Sequence, residues 1–67
     1  MRLQYLGKNA NSGGGGCEAL YKTDRGTYVV QGKIVTDPAA IADLRDLASD
    51  ESYVEVPADV LQLIDRA

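Results

Sequence analysis

The stretch from Cys17 to Val35, CEALYKTDRGTYVVQGKIV, constrains the fold more than any other part of the chain. Two apolar, tyrosine-bearing runs flank the turn formers Thr23-Asp24-Arg25-Gly26. Asp-Arg suits the centre of a type I turn, and the glycine after it takes the left-handed conformation that closes an antiparallel hairpin. Side chains alternate along a strand. Tyr28, Val30 and Ile34 therefore share one face, and Val29, Gln31, Lys33 and Val35 share the other. Gly32, inside this second run, predicts a bulge or a close backbone approach.

The remaining elements follow from period and punctuation. MRLQYL alternates Leu3 and Tyr5 with Arg2 and Gln4, which predicts a strand over 1–6. GKNANSGGGG, residues 7–16, reads as a flexible loop with no side chains to bury in its glycines. A helix is predicted over 36–48, capped by Thr36 or Asp37 with Pro38 at its first position. Ile41, Leu44 and Ala48, with Ala40 and Leu47, make its apolar stripe. YVEVP reads as a strand that Pro57 ends. PADVLQLIDRA reads as a second helix with Val60, Leu61 and Ile64 inward and Asp59 in the first turn. Leu44 and Ile64 are the expected anchors of the two helices. The order β-β-β-α-β-α predicts one α+β domain over 1–67, a small antiparallel sheet with two short helices packed on it.

A chain of 67 residues buries a small core and is marginal alone. With one cysteine and no histidine it has no disulfide pair and no obvious metal-ligand set, so association with itself or a partner is the remaining remedy. The formal net charge is −3, and the seven Lys and Arg are scattered among ten carboxylates. That balance argues against direct binding of nucleic acid or of an anionic membrane. No apolar run reaches membrane length, and the N-terminal residues lack the apolar core of a signal peptide. A lone cysteine fits a reducing compartment, so a cytoplasmic location is expected.

Four features invite a chemical reading. Gly13 to Gly16 resemble a phosphate loop only in composition: a strand follows them, and no Lys-Ser or Lys-Thr pair is present at the required spacing. Cys17 as a nucleophile would need a base, and no histidine exists, so a small buried hydrophobe is the expected role. The aspartates fit solvated faces and caps better than a catalytic pair, and no calcium-loop pattern occurs. Tyr5, Tyr21, Tyr28 and Tyr53 all fall in predicted strands, where they serve either packing or a contact surface for a protein partner. No catalytic, metal or cofactor residue is assigned. A small thiol- or phosphate-handling domain built on the glycine run and Cys17 is the alternative to an interaction module.

The segment formed by Lys8, Ser12, Gly13 to Gly16, Cys17 and Glu18 resembles a family of small acidic actinobacterial proteins. That family is catalogued as a domain of unknown function and includes the sporulation regulator BldB. The dipeptides Asp37-Pro38 and Pro57-Ala58 match its later motifs, with Val56 where the family commonly has a capping threonine. The chain departs from the pattern in lacking the asparagine before the cysteine, in Val60 where the family favours tryptophan, and in an additional predicted helix. The resemblance implies a non-enzymatic accessory in transcriptional or developmental control. It would act through a protein partner such as a helix-turn-helix regulator, and as a homodimer.

Overall fold

The structure is a computed structural model and describes residues 1–10 and 17–66. It is an α+β fold with two small antiparallel sheets and two short helices. The first sheet holds β1 (Leu3–Lys8), β2 (Ala19–Thr23) and β3 (Tyr28–Gln31) in the order β1-β2-β3. The second pairs β4 (Lys33–Ile34) with β5 (Val54–Glu55). Between them lies α1 (Pro38–Ala42), and after β5 come α2 (Ala58–Leu61) and a 3-10 helix over Gln62–Arg66.

The hairpin forms as its residues dictate. Tyr21 pairs with Val29 and Lys22 with Tyr28, and Gly26 takes φ 78° at the end of the turn. The Thr23 hydroxyl accepts from the Arg25 and Thr27 N–H groups and shares a 2.7 Å hydrogen bond with the Thr27 hydroxyl. Thr23 is buried by this arrangement.

β1 runs two residues past the predicted strand. Gly7 and Lys8, expected in the loop, pair with Leu20 and Ala19 after a register shift between Tyr5 and Gly7. The Asn9 N–H donates to the Glu18 carbonyl, carrying the pairing one step further. Expectations placed on Asn11 to Gly16, the glycine run included, lie outside the described residues.

Gly32 separates β3 from β4, and the expected close approach is real. A Cβ there would sit 2.7 Å from the Glu55 carbonyl oxygen and 2.7 Å from Val56 Cγ1. The missing side chain lets β5 cross, so the last strand joins a second sheet with β4.

The long first helix is not observed. Asp37 caps α1 as expected, accepting from the Ala39 N–H at 2.9 Å, with Pro38 in the first turn. The helix ends at Ala42. Leu44, expected as an anchor, is 42% exposed, and Leu47 is also exposed. No residue of α1 is fully buried and only Ile41 is half-buried, so the apolar stripe gains little from packing. A short helix without tertiary support is unstable in water, and aspartates at its C-terminal end oppose the helix dipole. Asp46 instead takes φ 55°, a conformation Asp tolerates. The Glu51 carboxylate accepts from the Ala48 N–H and fixes the loop locally.

The core is Leu6, Leu20, Val60 and Leu63, with Val56 packed against it. Val60 is buried as expected, but Leu61 and Ile64 are exposed, and Leu63 takes the inward place. The reason is the tightening from α to 3-10 after Leu61. At three residues per turn, positions i and i+3 eclipse, so Val60 and Leu63 point the same way.

Candidate protein-interaction surface

The three-stranded sheet has unlike faces. Leu6 and Leu20 point into the core, where they meet Val60 of α2 and Leu63 of the 3-10 helix. The opposite face follows from the ladder. Leu3 lies beside Thr23, and Tyr5, Tyr21 and Val29 form one row across the strands. The core cluster of Leu6, Leu20, Val60 and Leu63 lies on the other side of the sheet. Tyr5 is 57% exposed and Leu3 is exposed, while Tyr21 and Val29 are half-buried.

This row is braced. The Tyr5 and Tyr21 rings stand 5.7 Å apart, tilted by 56°, an offset geometry aromatic pairs favour. The Tyr21 hydroxyl donates to Gln31 Oε1 at 2.7 Å, and Gln31 Nε2 donates to the Cys17 carbonyl at 2.7 Å. A chain of side-chain bonds thus runs from the aromatic row to the start of β2. It fixes the orientation of the Tyr21 ring.

The four tyrosines do not converge. Tyr5 and Tyr21 share the face turned away from the core cluster, Tyr28 is exposed on the opposite face of β3, and half-buried Tyr53 precedes β5. Of the four, only Tyr5 and Tyr21 stand in one row, which Val29 continues and Leu3 borders. Val29 was not among the residues singled out in the sequence, and its register opposite Tyr21 places it in the row.

Cys17 is half-buried outside the core cluster, which corrects the expectation of a core cysteine. It lines a shallow hollow of about 210 Å³ with Glu18, Gln31, Gly32 and Lys33. No cluster of three or more His, Cys, Asp or Glu suited to a metal occurs among the described residues. Asp59 in α2 accepts from the Ala10 N–H at 2.8 Å and ties the end of the first strand to the C-terminal helices. No described helix is long and apolar enough to cross a membrane.

Comparison with protein-family models, with curated proteins and with solved structures returns no match.

Proposed function

We propose that the chain is a non-enzymatic protein-interaction module of the cytoplasm that engages a protein partner through the uncovered face of its first sheet. The row Tyr5–Tyr21–Val29 carries this reading, because tyrosine offers large apolar area with a polar tip and is enriched at protein contacts. The small core supports it too. Four buried apolar side chains form the central cluster, while Leu3, Tyr5, Leu61 and Ile64 stay in water. A module of this size gains from an added surface.

The resemblance at Lys8 to Glu18 directs the choice of partner to a helix-turn-helix regulator encoded beside the gene. In that arrangement the regulator holds DNA and this acidic chain modulates it. The test is co-elution of the purified chain with that regulator on size exclusion. The wild type should form a complex, and a Tyr5→Ala/Tyr21→Ala variant that keeps its spectrum should not. A gel shift with random duplex should show no retardation by the chain alone. Complex formation unaffected by the double substitution, or duplex binding that weakens steeply with salt, contradicts the proposal.

A further inference from the structure

β3 is an open edge. From Thr27 to Gln31 it carries no charge and no proline. The Thr23 N–H donates to the Thr27 carbonyl, which makes that pair hydrogen-bonded. Antiparallel ladders alternate bonded and non-bonded pairs. Val29, opposite Tyr21, and Gln31, opposite Ala19, therefore turn their backbone groups toward β2. The N–H and C=O groups of Tyr28 and Val30 point the other way, where β3 has no neighbouring strand among the described residues. Proteins protect idle edges with lysine, proline or bulges. The other edge, β1, has such protection: Arg2 precedes it, Lys8 ends it, a register shift interrupts it, and the 3-10 helix packs against it. Among the described residues β3 has none within its span, its nearest following cation being Lys33, beyond Gly32.

We propose that β3 pairs antiparallel with β3 of a second copy, about a two-fold axis through Val29. This rests on the interaction-module reading and names one of its partners. The register follows from the free groups. Tyr28 and Val30 carry them, so Tyr28 of one copy must exchange hydrogen bonds with Val30 of the other, and Val29 faces its own counterpart. Aromatic and β-branched residues then stand opposite each other, a favourable cross-strand pair. No like charges meet between Thr27 and Gln31, although the whole chain carries a formal charge of −3. The row Tyr5–Tyr21–Val29 continues across the axis into its mirror order, which makes one apolar row over six strands. Pairing two four-residue edges buries little area, so a weak dimer forming at roughly tens to hundreds of micromolar is expected.

Sedimentation velocity on the full chain tests this with Val29→Lys, Val29→Glu and their equimolar mixture. Side chains facing each other in a non-bonded pair lie about 5 Å apart, so each charged variant should associate at least roughly tenfold more weakly than wild type. The mixture should recover the dimer, because opposite charges then meet. A wild-type dimer that neither charge weakens would place the interface elsewhere. A wild type that stays monomeric at several hundred micromolar would leave the edge to a strand of another protein and overturn self-pairing. Neither result touches the co-elution test of the tyrosine face. Should the variants unfold, NOEs between Val29 methyls of labelled and unlabelled wild-type copies decide, their presence supporting the pairing and their absence overturning it.

Discussion

Gly32 is the residue on which the two sheets turn. Any side chain there meets the Glu55 carbonyl and Val56 Cγ1 at 2.7 Å, and backbone on one side cannot yield easily. Gly32→Ala should destabilise the chain by about 1–3 kcal/mol, the usual range for overpacking a filled site. Urea denaturation measures this, and an unchanged midpoint would mean that β5 can move away. Asp37 is a second residue with a defined local role, through its bond to the Ala39 N–H. Asp37→Ala should cost about 0.5–2 kcal/mol if α1 unfolds together with the rest of the chain. Because α1 buries none of its residues fully, a smaller loss in the global melt, with local fraying seen by hydrogen exchange, would show that it opens independently.

At the scale of elements, the C-terminal helices hold the sheet through Val60 and Leu63. Leu63 is 8% exposed, and truncating a buried leucine typically costs about 2–5 kcal/mol. That is a large share of the stability of so small a domain. Leu63→Ala should therefore be largely unfolded, while Ile64→Ala and Leu44→Ala should shift the melting temperature little, since Ile64 is 47% and Leu44 42% exposed. Thermal melts followed by circular dichroism check the ranking, and a severe effect at Leu44 would restore the longer first helix. The hairpin was legible in the chain because its turn residues and its alternation agree. The Asp37 cap and the Gly32 contact were legible for the same local reason. The inward set of the last helix was not, because a change from 3.6 to 3 residues per turn leaves no mark in an apolar pattern that both periods fit. The extent of α1 failed differently: its stripe is amphipathic, but none of its residues is fully buried.

For the whole molecule, the row behind the proposed interaction surface was half legible. Tyr5 and Tyr21 stood out by residue type, yet only the register between β1, β2 and β3 shows that these two share a row with Val29 while Tyr28 faces away. Strand pairing between segments far apart in sequence is set by tertiary packing, which residue type alone does not encode. The small core, the exposed Tyr5 and the β3 edge, which has no neighbouring strand among the described residues, support the proposal that the chain completes its burial by contact with other protein surfaces. The most direct test is an NMR titration of the isotopically labelled chain with the helix-turn-helix regulator proposed as its partner. The account predicts amide shifts concentrated at Leu3, Tyr5, Tyr21 and Val29, with little change at Leu61 and Ile64. Shifts confined to the C-terminal helices, or none at saturating regulator, would contradict it.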